Sequence, residues 1–336
     1  MLASRLFAAE GRVGDLVHLL RRGRLKVSSR RAAMAQRRAG LRYLGAALAL
    51  GLIALWGSEN LFWTVPLDGI APLDWLLTWG AYSLVAAVAL SAVLWSGLSG
   101  WRAAFLGGAV LGFGLEGVVA TTMYDAFPFQ LVWTPLAWHA LVTGLMVLAL
   151  PRRLARGGVW RQVVGLLGLG LFGAVWGWFW PTERSDLPGF GLPLVYLPGM
   201  AVSVVLAQLG LDRLGRLEVP RPWVLLLAPG VLAALWLGRL AAMPSPLLLA
   251  CPALIGVTVW AARRLGPGPV GLELGPAVPV WRHGLFLLAP LVTALLVVPG
   301  WGMFGPVPSN ILVAVGAGGA ALVLWLRLVI GALRRR

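Results

Sequence analysis

The sequence predicts an all-α polytopic membrane protein of about ten transmembrane helices, and three observations carry that prediction. Of its 336 residues 59% are hydrophobic and only 12% charged, where an ordinary soluble domain has about a quarter charged; the mean hydropathy is +0.84. From residue 41 onward the chain repeats apolar runs of the length, ~20 residues, that crosses ~30 Å of hydrocarbon. Almost all of the Lys and Arg fall between alternate runs.

The first element is a basic lead, residues 1–40. Leu2, Leu6, Ala9, Val13, Leu16 and Leu20 share one helical stripe, with Arg5, Arg12, Asp15 and Arg22 elsewhere. This pattern predicts an amphipathic helix lying on the membrane surface, followed by a basic tether that faces anionic lipid. It serves as a topology anchor or as the docking segment for a membrane or cytoplasmic protein partner. A cleaved secretory signal is not expected, because the apolar region starts near residue 44 and no small-residue cleavage pattern follows it.

A bundle over residues 41–331 follows. Its spans are expected at 41–57, 73–96, 103–124, 134–150, 162–180, 190–211, 223–242, 246–262, 284–300 and 309–330. Asp74 and Asn310 open the second and tenth, where a polar side chain caps a helix. The seventh and eighth meet at "AAMPSP", a break that also fits a re-entrant hairpin. Residues 332–336 form a short basic tail.

Lys and Arg beside a span are retained in the cytoplasm. With both termini inside, 26 of the 28 basic residues fall in cytoplasmic segments, leaving Arg184 and Arg239 outside. The chain is therefore expected in a cell membrane, the cytoplasmic or inner one if it is bacterial. Because these charges are spread over every inner loop, the net charge of +16 is no nucleic-acid signal.

The single Cys251 excludes an internal disulfide, and His18, His139 and His283 have no second histidine at metal-ligand spacing. No nucleophile elbow, phosphate-binding loop or dinucleotide fingerprint is present. Neither metal nor cofactor is expected. The 44 glycines suit close helix packing in lipid.

Seven of the 12 acids, Glu59, Asp68, Asp74, Glu116, Asp125, Glu183 and Asp186, lie outside or within spans. Aromatic clusters in "ENLFW", "FPFQLVW" and "WGWFW" occupy the same level and read mostly as an interfacial belt, the remainder as the lining of an outward-facing pocket. Glu116 sits mid-span on a ridge with Gly108, Gly112 and Ala120, a packing face. An ionisable side chain there must face the bundle interior or a cavity, since exposure to lipid costs at least a few kcal/mol. His139, on the next span, shares a face with Pro135 and Thr143. The short link at 125–133 makes the two spans antiparallel neighbours, with His139 about one turn shallower than Glu116 and within direct or water-bridged reach.

Glu116 and His139 are thus the candidate acid/base pair. Together with Tyr124, Asp125, Thr143 and Arg239 they form the candidate substrate-binding set. Arg239 snorkels from its span or pairs with Glu183 or Asp186.

Spans one to five and six to ten occupy nearly equal lengths with opposite orientation, the layout of an inverted-repeat transporter. "ALWGSENLF" and this 5+5 division resemble ten-helix drug/metabolite transporters; the forty-residue basic lead departs from that pattern, and membership is not inferred. Three functions fit: a transporter of a small solute or lipid-like molecule with an outward-facing polar site, an enzyme acting on a lipid-linked or acyl substrate at the outer leaflet, and a structural or assembly subunit.

Overall fold

The computed structural model describes residues 33–335, with residues 62, 65, 67 and 68 excepted. Among the described residues ten helices are long and apolar enough to cross a membrane: α1 Ala33–Asn60, α2 Pro72–Ser96, α3 Gly100–Val119, α4 Phe129–Ala155, α5 Val159–Thr182, α6 Gly191–Leu214, α7 Pro222–Ala242, α8 Pro246–Leu265, α9 Val280–Phe304 and α10 Ser309–Leu333. The chain is an all-α, multi-pass membrane protein. The predicted stripe of the lead, His18, Asp68 and Arg336 lie outside the described residues.

Each predicted span is found, with instructive differences at the ends. Among the described residues α1 is already helical at Ala33, eight residues before the apolar run, because hydropathy marks the part immersed in lipid and not the limits of the helix. α3 ends at Val119 instead of 124, where Thr121 adopts a left-handed φ of 66°. A β-branched residue rarely takes that conformation, and it turns the chain back towards the helix end. At "AAMPSP" two separate helices of 21 and 20 residues meet, each of crossing length. Asp74 accepts the Ala71 N–H at 2.9 Å and Asn310 the Ile311 N–H at 2.9 Å, so both act as helix-start acceptors.

α3 is the central helix and α7 the most peripheral, with 78% and 11% of their apolar cores buried. Small residues explain the first. A Cβ on Gly108 would lie 2.8 Å from His139 O and Ala140 Cα, and one on Gly112 would lie 2.6 Å from Pro135 Cα. Gly144 in turn faces Ala104 O. The run of contacts is antiparallel, and it brings α4 almost onto the α3 backbone. α5 and α9 pack by the same device, through Gly170, Gly173 and Gly177 against Ala289, Thr293 and Val297. Further close pairs are α1 with α6, α2 with α7, α3 with α8, α3 with α7, α2 with α8, α4 with α10, and α5 with α10.

The helices change pitch where they converge. α1 closes in a π turn at Trp56–Asn60 and α3 in another at Leu115–Val119, while α4 is π-helical through Trp133–Ala149. The i→i−5 bonds are explicit in Leu61 N to Trp56 O (2.9 Å) and Ala120 N to Leu115 O (2.8 Å). In α4, Pro135 cannot donate a backbone hydrogen bond, which breaks the ordinary ladder at its first turns.

The arginine-bearing end is tied together by β1 Arg216–Leu217 and β2 Leu272–Glu273, an antiparallel pair joining the α6–α7 and α8–α9 links. Several tryptophans gather here. Arg102, Arg263 and Arg282 lie over the rings of Trp101, Trp95 and Trp281 at 5.6, 5.6 and 5.3 Å. At the opposite end the predicted belt is divided, with Phe127 and Phe129 exposed and Phe179 and Trp180 buried. Trp133, Trp138, Trp176, Phe179 and Trp180 stack in series at 4.5–5.1 Å, with Trp63 4.9 Å from Trp180.

Candidate functional site

The three π segments carry one group of buried polar residues. Glu116 stands in the π turn that ends α3, Ser58 in that of α1, and His139 and Thr143 in the π body of α4. Such widened turns are frequent at functional sites.

Glu116 Oε1 lies 2.7 Å from His139 Nε2, the direct contact expected from the sequence. The other imidazole nitrogen, Nδ1, lies 3.0 Å from Ser58 Oγ, which lies 3.1 Å from Thr143 Oγ1. Thr122 Oγ1 donates to Glu116 Oε2. Five side chains from α1, α3, α4 and the link after α3 therefore form one unbroken hydrogen-bonded series. Its centre is buried: the His139 side chain is 1% exposed and that of Glu116 10%. Gly57 makes room for it, since a Cβ there would meet Thr143 at 3.2 Å. Glu59 and Tyr82 form a second pair alongside, with Tyr82 donating to Glu59 Oε1 at 2.6 Å and its ring 6.3 Å from that of His139.

The other members of the predicted set go elsewhere. Tyr124 donates to Gly117 O at 3.0 Å; burial pushes its phenol above the ordinary value, with neighbouring Cys251 adding to the effect. Asp125 is exposed and stays apart from Glu116. Arg239 donates to Thr121 Oγ1 at 3.1 Å, steadying the strained turn beside Thr122. Its suggested partner Asp186 pairs with Arg184 at 2.9 Å, whose hydrogen bond holds that exposed carboxyl below its usual range.

A cavity of about 660 Å³ meets the series from the arginine-bearing side. Its walls are apolar faces of α1 to α4, including Leu50, Ile53, Leu90 and Leu111; His139 and Thr143 border it in the membrane interior, and Arg152, Arg153, Arg156 and Glu273 stand at its mouth. The outward-facing pocket expected from the aromatic clusters is not where this cavity opens. The rings that would have lined such a pocket stack on one another instead.

Below the mouth lies a charge cluster that the sequence does not reveal. Arg152 Nη2 is 2.7 Å from Asp212 Oδ1, His283 Nε2 is 2.7 Å from Asp212 Oδ2, and Val278 N donates to Oδ2 at 3.1 Å. Arg152 also donates to Gln208 Oε1 (2.6 Å) and Leu274 O (2.9 Å). Arg282 donates to Gln162 Oε1 at 2.6 Å and Gly157 O at 2.9 Å. Asp212 thus faces two guanidiniums, since Arg156 Nη2 also lies 3.6 Å from its Oδ1, and Arg216 takes Glu273 at 3.3 Å. Arg153 has no ion-pair partner among the described residues, and the mouth keeps a positive surplus.

A protein metal centre is ordinarily built from several His, Cys or carboxylate ligands; among the described residues no group of even three such side chains is placed to hold an ion. The fold and the site define a multi-pass integral membrane protein with a buried acid–imidazole–hydroxyl series at the end of an apolar cavity. No family model, curated protein or solved structure matches the chain.

Proposed function

We propose that the protein is a transporter of a lipid-like molecule bearing an anionic group, taken up from the arginine-bearing side of the membrane. The single observation that carries this reading is the cavity among α1–α4, apolar along its walls, with Arg153 and Arg156 at the mouth and His139 and Thr143 at the inner border. Apolar walls with a few convergent polar groups are the usual make-up of a ligand site. From His139 to Arg152 the helix spans at most about 20 Å, room for an extended chain. The positive-inside distribution makes the arginine end cytoplasmic, so the cavity supports an inward-facing state.

Contacts of α1 with α6, α2 with α7, α3 with α8 and α5 with α10 support an inverted 5+5 arrangement, since a two-fold axis relating the halves sets these pairs together. The close α3–α4 packing has no counterpart of similar extent between α8 and α9.

A diazirine-bearing fatty acid tests the reading. In vesicles containing the full chain it should crosslink to Leu50, Leu90 and their neighbours; Leu90→Trp or Arg153→Glu should suppress this, and the methyl ester should crosslink less. Crosslinks confined to the lipid-facing surface of α7 would sink the proposal.

The order Ser58, His139, Glu116 favours a second reading, an acyl-transferring enzyme with nucleophile, base and orienting acid. Against it, Ser58 is not among the residues that border the cavity. Labelling of Ser58 by a fluorophosphonate, abolished by Ser58→Ala, would restore it.

A further inference from the structure

We infer that Thr143, Ser58, His139, Glu116 and Thr122 form a proton path between the cavity and the opposite face of the membrane. The inference rests on the proposed solute cavity for the place where its inner end opens. Thr143 borders that cavity. Thr122, half-buried, lies beyond the last turn of α3 at the other end. Between them the contacts run without a gap: Thr143 Oγ1 to Ser58 Oγ at 3.1 Å, Ser58 Oγ to His139 Nδ1 at 3.0 Å, His139 Nε2 to Glu116 Oε1 at 2.7 Å, and Thr122 on Glu116 Oε2.

A pair serving merely to hold helices together needs one donor and one acceptor. Here every interior member can both accept and donate, which is the chemical requirement for passing a proton. Imidazole does so through two different nitrogens, and both are engaged. Neighbouring groups flank the series: Tyr82 donates to Glu59 and also lies against Ser58, Thr134 lies against Glu116, Arg239 donates to Thr121, Asn60 donates to Tyr196 at 2.9 Å, and Trp138 donates to Ser58 O at 3.1 Å.

The steps balance. At its end Thr122 passes its hydroxyl proton to the Glu116 carboxylate and regains one from solvent, and the resulting acid gives its proton to His139 Nε2. The imidazolium releases its Nδ1 proton to Ser58 Oγ, Ser58 passes its own hydroxyl proton to Thr143, and Thr143 passes one to water or an anionic solute in the cavity. Each group ends with the number of protons it began with. Reorientation of the hydroxyls and return of the imidazole to its first tautomer reset the series, and no bond other than O–H and N–H changes.

The test uses the full chain in potassium-loaded vesicles with trapped pyranine, valinomycin setting an inside-negative potential. The dye should report faster proton entry than in protein-free vesicles. Thr143→Val and Ser58→Ala break the same link at different atoms, and each should slow entry about tenfold or more, whereas Thr143→Ser should stay within about twofold of wild type. Melting temperature and size-exclusion profile accompany each variant; Thr143→Val preserves side-chain shape, so its fold should survive. Wild-type vesicles no faster than protein-free ones, or a folded Thr143→Val that conducts normally, would overturn the path. Fatty-acid crosslinking without proton entry removes the path alone; proton entry without crosslinking supports the path and removes the lipid-like solute alone.

Discussion

Arg152 and Asp212 meet at 2.7 Å at the arginine-bearing end of the bundle, with side chains 8% and 5% exposed. Asp212 is also the acceptor for His283 and for the Val278 N–H, so one carboxylate ties α4, α6, α9 and the α8–α9 link together. Removing one partner of a buried ion pair leaves an uncompensated charge and costs about 3–5 kcal/mol. Asp212→Ala should therefore lower the melting temperature of the purified protein markedly, and the double change Arg152→Met, Asp212→Leu should recover much of the loss. An unaltered melting temperature in Asp212→Ala would mean that the cluster is bypassed by solvent.

Glu116 and His139 are expected to act as a unit. Glu116→Gln, His139→Gln and the double variant should show strong non-additivity, in stability and in proton entry alike, because each residue satisfies the other at 2.7 Å. Strictly additive effects would show that the two do not communicate.

The α3–α4 interface predicts a steric contrast between two glycines. Gly112→Ala forces a methyl group to within 2.6 Å of the Pro135 Cα and 2.9 Å of the His139 Cβ, and should cost roughly 1–3 kcal/mol by overpacking. Gly168, which has open space around it, should accept Ala with a gain of about 1 kcal/mol from helix propensity. Equal melting temperatures for both variants would argue against the close approach.

Membrane orientation is directly measurable. In a Cys251→Ala background, single cysteines replacing Arg156, Arg216 or Arg264 should be labelled from the cytoplasm, and those replacing Phe129 or Asp186 from outside. A residue 156 cysteine labelled from outside would invert the proposed topology and with it the direction in which the cavity opens.

Part of the site is legible in the amino-acid sequence. Glu116 can be assigned to a packing face because Gly108 and Gly112 precede it at intervals of four, and the antiparallel pairing with His139 follows from the short link at 125–133. Ser58 cannot be assigned in this way. It lies 81 residues from His139, and "WGSEN" at the end of α1 reads equally as a helix terminus. Asp212, 60 residues from Arg152 and 71 from His283, is hidden by the same separation. The aromatic clusters are legible only in part, because a tryptophan at the end of a span suits an interfacial belt and internal ring contacts alike until its neighbours are known.

What the sequence by itself determined is the number of spans and the segregation of its basic residues, because hydrophobic length and charge are local properties of the chain. The tertiary structure alone decided which helices adjoin, where the cavity opens, and that Ser58 and Thr143 extend the Glu116–His139 pair. In lipid there is no hydrophobic force to choose one neighbour over another; the choice falls to van der Waals fit and to interhelical hydrogen bonds. Those depend on surfaces that exist only once the helices are packed.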